Sequence, residues 1–204
     1  MKIIFLGIFW STVAYIFGSI PWGLVIGKVF YHKDIRHYGS HNLGGSNAGR
    51  VLGKKVGIIV ILLDAFKALL FMLFCHRFAP EVTAIAGLFV AVGHCFPIFA
   101  QFRGGKAVAC AFGYLLALGL LSYADFYFVF MYPVLIFFLI IGLTKIVSIS
   151  SIGALFSAWI ISIFVHERSI SLSLFILLVL VIYRHIPNLL RIWKGEENKI
   201  TWLR

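Results

Sequence analysis

Charge is scarce in this chain, and negative charge scarcest: seven Asp and Glu stand against 18 Lys and Arg, a formal net charge of +11 over 204 residues. Only 12% of residues are charged and 62% are hydrophobic, more apolar surface than a soluble core of this size could hide. With a mean hydropathy of +1.02 the chain reads as a polytopic membrane protein. Its cations interrupt apolar runs instead of forming one basic face, so lipid headgroups and anionic substrates are the expected partners, and nucleic acid is not. Cysteine is also rare. Cys75, Cys95 and Cys110 form no Cys-x-x-Cys pair and have no second ligand nearby in sequence, so they read as small buried side chains. Scattered histidines and few carboxylates predict no metal site and no cofactor. No small-x-small pattern closes the first apolar run, which therefore reads as a retained span. No repeat, low-complexity tract or linker appears, so residues 1–204 are expected to form a single domain.

Crossing ~30 Å of hydrocarbon takes about 20 residues of helix. Charge-poor segments of that order occupy residues 3–27, 56–75, 82–102, 107–124, 126–144, 146–165 and 169–187. The predicted fold is all-α with seven transmembrane helices. Pro21, Pro97, Pro133 and Pro187 should kink or end helices near polar loops. The serine-rich run 146–165 is the weakest span. With the N-terminus outside, one face collects most of the cations, among them Lys28, Arg50, Lys54, Lys55, Arg103, Lys106, Arg184 and Arg191. Lys2, Arg77 and Arg168 remain on the other, so the N-terminus is expected outside and the C-terminus in the cytoplasm.

Three unusual segments share the cytoplasmic side. Residues 39–50, Gly-Ser-His-Asn-Leu-Gly-Gly-Ser-Asn-Ala-Gly-Arg, combine glycines that let main-chain N–H groups crowd an anion, neutral donors, and an arginine suited to phosphate. Residues 93–106 end in Gly104-Gly105-Lys106 just before a predicted helix, where free N–H groups, dipole and ammonium all favour phosphate. A tight turn with a snorkelling lysine is the plainer alternative. In residues 183–196, Arg184, Asn188 and Arg191 share a helical face, with His185 beside Asn188. A basic end gripping anionic lipid is the alternative there. Asp64 and Lys67 lie roughly 12–17 Å along a span at ~1.5 Å per residue. Each would cost ~2.5–3.5 kcal/mol alone, so they are expected to pair and face inward, as a clamp first and a substrate contact second.

Together these segments resemble the acyl-phosphate-dependent glycerol-3-phosphate acyltransferases of bacteria, the PlsY family. Its first signature resembles Gly-Ser-Gly-Asn-x-Gly-Ala-Thr-Asn with a following Arg, matched by Ser40, Asn42, Gly44, Asn47 and Arg50. The second, Gly-His-x-x-Pro-x-Phe ending in Gly-Gly-Lys, is matched by His94, Pro97, Phe99, Gly104, Gly105 and Lys106. The third, Arg-His-x-x-Asn-x-x-Arg-x-x-x-Gly-x-Glu, is matched by Arg184, His185, Asn188, Arg191, Gly195 and Glu196. Asp64 and Lys67 fit an Asp-x-x-Lys pattern of the family. The departures are His41 for glycine, Gly45 for alanine, Ser46 for threonine and Ala107 for a usual glycine. A divergent paralogue would show such changes.

The resemblance implies transfer of a fatty acyl group from acyl phosphate to the 1-hydroxyl of glycerol 3-phosphate, giving lysophosphatidic acid and phosphate, at the cytoplasmic face of a bacterial plasma membrane. It implies an acyl-phosphate-producing enzyme as partner. Arg50, Lys106, His185 and Asn188 would hold the phosphates, and Ser40 and Asn42 would position the hydroxyl and carbonyl. Ser40, Asn42 and His185 are thus the expected catalytic residues. Gly44, Asn47, Arg50, His94, Gly104, Gly105, Lys106, Arg184, Asn188 and Arg191 are the expected substrate contacts. Acyl phosphate already carries a good leaving group, so positioning and charge neutralisation should suffice, with a phosphate accepting the hydroxyl proton. His185 as general base is the competing mechanism. The acyltransferase pattern His-x-x-x-x-Asp is absent, and His76 with Glu81 only imitates its spacing. A transporter of a phosphorylated metabolite and a catalytically silent lipid-binding homologue are the rival functions.

Overall fold

The computed structural model describes residues 1–121, 126–165 and 167–200. Among them there is helix and no strand. The helices are α1 (Lys2–Gly18), α2 (Trp22–Tyr31), α3 (Gly45–Leu52), α4 (Lys54–Phe78), α5 (Thr83–Cys95), α6 (Val108–Leu120), α7 (Tyr132–Thr144), α8 (Val147–Val165) and α9 (Arg168–Trp193). The chain falls into two compact units, Met1–Ala117 and Leu118–Arg204, dividing inside α6.

Among the described residues, six segments are long and apolar enough to cross a membrane: Lys2–Tyr31, Lys54–Phe78, Pro80–Ala100, Tyr127–Thr144, Val147–Val165 and Arg168–Trp193. The span predicted at 107–124 is only 13 residues of helix, α6, about 20 Å long, and residues 122–125 lie outside the described set. The run 3–27 is not one continuous helix. α1 stops at Gly18, and Pro21, with φ −93° and ψ 80°, is the N-cap of α2. Pro187 neither ends nor precedes a stop: α9 continues through it to Trp193. Pro133 lies one residue into α7, just past a five-residue π-helical turn, Tyr127–Met131, that runs directly into it. The serines of α8 satisfy themselves by bonding back along the helix, Ser150 to the Ile146 carbonyl and Ser151 to that of Val147, both at 2.8 Å. That is why a serine-rich run can still be apolar toward its surroundings.

In the first unit the loop after α2 folds over a small core of Leu24, Ile35, Leu43, Ala48, Val56 and Val60. Helix α3 lies on α4 through glycines: a Cβ at Gly57 would sit 2.7 Å from the Gly49 Cα. Backbone proximity of this kind drives association in lipid, where apolar side chains gain nothing from leaving a solvent as apolar as themselves. Helix α4 is about 37 Å long, whereas α5 and α6 are about 20 Å each. Gly113 of α6 packs on Ala65 and His94 of α5 meets Asp64, so the α5–α6 loop turns opposite the middle of α4. In the second unit α8 packs on both α7 and α9, with Trp159 and Phe175 rings 5.1 Å apart.

Candidate active site

The first signature loop is held by its own asparagines. Asn47 is buried, and its Nδ2 donates to the main-chain carbonyls of Ile35, Tyr38 and Asn42 at 2.9, 3.2 and 2.9 Å, while its Oδ1 accepts from the Ser40 N–H at 2.8 Å. Its polar atoms are committed to shaping the loop. Asn42 accepts from the Gly44 N–H at 2.9 Å and donates from Nδ2 to the Gly104 carbonyl at 3.4 Å, joining the first and second signatures. Gly44 is the N-cap of α3. Ser40 and Arg50 are exposed on the two ends of this framework, Ser40 in the loop and Arg50 near the end of α3.

Asp34, just upstream, caps the short turn Ile35–His37 and takes two hydrogen bonds from the Arg36 Nε, at 3.0 and 3.2 Å, and one from Nη2 at 2.7 Å. Those bonds hold the Asp34 carboxyl well below the usual carboxylate range and raise Arg36.

The departures from the family pattern have a backbone explanation. His41 has φ +57° and Ala107 φ +59°, the left-handed region that glycine enters without penalty. A glycine would hold the same backbone at less cost at both positions. His41 is steadied by an Nδ1 contact to the Arg36 carbonyl at 2.9 Å. Gly45 stands where a Cβ would come within 2.7 Å of the Gly57 carbonyl, a close approach of α3 to α4 that a glycine allows. Nothing in the structure explains Ser46, which is exposed in the first turn of α3.

The second signature is moulded on His94. The Gly105 N–H donates to the His94 carbonyl at 3.0 Å, a Cβ on Gly105 would overlap the His94 ring, and one on Gly104 would lie 2.6 Å from the Cys95 carbonyl. These glycines are needed for close approach, whatever they bind. Lys106 follows them, half-buried, immediately before α6. Asp64 and Lys67 are buried together on α4, Oδ1 to Nζ 3.0 Å, and His94 Nδ1 lies 3.0 Å from that ammonium and 3.3 Å from the carboxylate. Residues that lie far apart in the sequence, where no metal site is expected, meet at this point. Ligand atoms of Asp64, His94 and Cys110 come within 4.8 Å of one another, because α4, α5 and α6 converge there. The Lys67 ammonium stands in contact with two of the three.

The third signature lies in the second unit. His185 and Asn188 are buried and Arg184 and Arg191 half-buried on α9. His185 Nδ1 is 2.8 Å from the Val181 carbonyl, which fixes the proton on Nδ1 and makes Nε2 the acceptor of the neutral ring. The glutamate matched to the signature as Glu196 is exposed; it is Glu197 that the fold uses, and the Gly-x-Glu spacing itself falls on 197. Glu197 accepts from Asn188 Nδ2 at 2.5 Å and from Arg191 Nε at 2.8 Å. The tail is fastened again where the Ile200 N–H meets the Lys145 carbonyl at 2.9 Å.

A model of the glycerol-3-phosphate acyltransferase family matches residues 8–195, a stretch that runs through both units. Among curated relatives, the glycerol-3-phosphate acyltransferase of Staphylococcus carnosus is 40% identical, over 94% of this chain and 96% of its own length. That of Bacillus subtilis is 43% identical over 94% and 96%. The crystal structure of PlsY (YgiH), an integral membrane glycerol 3-phosphate acyltransferase, in its glycerol 3-phosphate form, matches with a TM-score of 0.85 at 32% identity, covering 100% of this chain and 98% of that one. Its lysophosphatidic acid form matches with a TM-score of 0.82 at 31% identity, covering 100% and 97%.

Proposed function

The chain belongs to the glycerol-3-phosphate acyltransferase family, and from that premise we propose that its acyl donor is acyl phosphate and its acceptor atom the 1-hydroxyl of glycerol 3-phosphate. It is an integral membrane acyltransferase of phospholipid synthesis. The products are then lysophosphatidic acid and inorganic phosphate, and an enzyme that makes acyl phosphate is the upstream partner. The observation that carries the reading is the Asn42 amide bridging to the Gly104 carbonyl, which makes one polar wall of the serine-arginine loop and the Gly-Gly-Lys loop.

On that wall Ser40 orients the acceptor hydroxyl, and Arg50 and Lys106 neutralise phosphate charge. Asn42 and Asn47 act by holding the loops, since their amides are already bonded to main chain. His94, Gly44, Gly104 and Gly105 give the wall its shape. Arg184, His185, Asn188 and Arg191 serve the same reaction as phosphate ligands, with Glu197 orienting Asn188 and Arg191. The hydroxyl oxygen attacks the acyl carbon, the carbon–oxygen bond to phosphate breaks, and the departing phosphate takes the proton. Transition-state charge is met by cations already in place, which lowers the barrier without a protein base. The topology that goes with this reading has seven crossings, α6 a short one, with the N-terminus outside and the positive loops on the cytoplasmic face of a bacterial plasma membrane. Both units together constitute the one acyltransferase domain.

Purified protein in detergent, offered palmitoyl phosphate, palmitoyl coenzyme A and a palmitoyl acyl-carrier-protein thioester in parallel, should release phosphate and lysophosphatidic acid only with the first. Equal or better turnover with a thioester would overturn the donor assignment.

A further inference from the structure

Behind the Gly-Gly-Lys loop lies a buried charged cluster that acyl transfer, as described, does not use. Lys67 Nζ donates to the carbonyls of Gly18 at 3.0 Å and Ile20 at 3.2 Å, where α1 breaks before α2. It also lies 3.0 Å from Asp64 Oδ1 and 3.0 Å from His94 Nδ1. The Lys67 and Asp64 side chains are 2% and 3% exposed. Placing two charges there costs several kcal/mol per ion, and a buried pair is on balance a poor source of stability. Close contacts of small residues already hold these helices: a Cβ on Gly93 of α5 would lie 2.9 Å from the Ser19 N–H nitrogen. What the cluster adds, and apolar packing could not, is a fixed rotation for one imidazole.

That imidazole is the surface on which the loop is seated. The Nδ1 edge of His94 faces the ion pair, and its opposite edge lies against Gly105, where a Cβ would come 2.7 and 2.8 Å from Cε1 and Cδ2. The carbonyl of the same residue takes the Gly105 N–H at 3.0 Å. A ring turned by a fraction of a rotamer would push Gly105, and with it Lys106, away from its place. The cluster also has the makings of a cation site in Asp64, His94 and Cys110, within 4.8 Å of one another. A lysine is a cation that cannot dissociate.

We propose that Lys67 is a positioning residue: a tethered ammonium among Asp64, His94 and the carbonyls of Gly18 and Ile20 that locks the His94 ring and thereby sets the Gly104-Gly105-Lys106 loop for phosphate. This rests on the reading that the loop binds the phosphate of glycerol 3-phosphate. The test is steady-state kinetics on purified wild type, Lys106→Ala, His94→Ala and the neutral double variant Asp64→Asn/Lys67→Met, each with a thermal melt. The double variant removes both charges at once and so leaves neither unpaired. It should fold, raise KM for glycerol 3-phosphate by about tenfold or more, and keep kcat within about threefold, and His94→Ala should show the same split. A folded double variant, or a folded His94→Ala, with wild-type KM overturns the proposal, as does a loss confined to kcat. If Lys106→Ala leaves KM unchanged, the phosphate-loop reading falls; if it raises KM and the double variant does not, only the positioning role falls.

Discussion

Single residues carry the sharpest consequences. Ala107 and His41 hold a left-handed backbone that costs non-glycine residues roughly 1–2 kcal/mol. Ala107→Gly should therefore raise the melting temperature, by up to about 1 kcal/mol of stability once glycine's greater unfolded-state freedom is set against the relief. His41→Gly should gain less, because it also gives up the Arg36 contact. Asp34 gives a pH dependence with a definite sign. Its carboxyl is lowered in the folded chain by hydrogen bonds from Arg36, so it binds a proton less readily folded than unfolded. The stabilisation is complete above the unfolded value of about 3.9 and is lost as pH falls below it. Melts of wild type and Asp34→Asn should converge in that acid range and separate above it. For chemistry, His185→Gln keeps a polar side chain without a titrating ring. If phosphate takes the proton, the fall in kcat should stay below about tenfold, against the ~10²–10⁴ a general base supplies.

At the scale of elements, helix contacts and end fastenings decide the outcome. Gly57→Val would force α3 off α4, since even a Cβ meets backbone atoms of Gly45 and Gly49 at 2.9 and 2.7 Å. Overpacking of this kind should cost about 1–3 kcal/mol and, by moving the loop that α3 anchors, lower activity further than stability alone accounts for. Glu197→Ala would remove the hydrogen bonds that Asn188 and Arg191 make to its carboxylate, a loss of about 1–3 kcal/mol, whereas Glu196→Ala should be near neutral. Comparing the two melts distinguishes the residue that fastens the tail from its exposed neighbour. The serines of α8 and Pro187 of α9 teach the same lesson. Composition suggested weak or broken helices, but hydrogen bonds inside the helix and a frame of neighbouring helices overrule local preference.

For the molecule as a whole, orientation is the testable property. Single cysteines replacing Lys54 and Arg77, in a background with Cys75, Cys95 and Cys110 changed to alanine, should react with an impermeant maleimide from opposite sides of sealed vesicles. Lys54 is expected to label only from the cytoplasmic side and Arg77 only from the other.

Composition alone settled the solvent, because burying so much apolar surface has no solution but lipid, and in lipid every backbone group must be satisfied within helices. The family was legible too, since glycines, amides and cations at fixed spacing have few other uses together, and the family model matches residues 8–195. What the sequence could not yield was what touches what. Cys110 looked isolated until three helices brought it to Asp64 and His94, and Glu197 was passed over for its neighbour until the tail folded back on α9. Asn42 and Asn47 were read from the sequence as substrate-site residues, and only the tertiary structure shows that their amides also bond main chain and brace the loops. A hydrogen bond depends on ångströms and angles between atoms far apart in the chain, and only the packed backbone sets those.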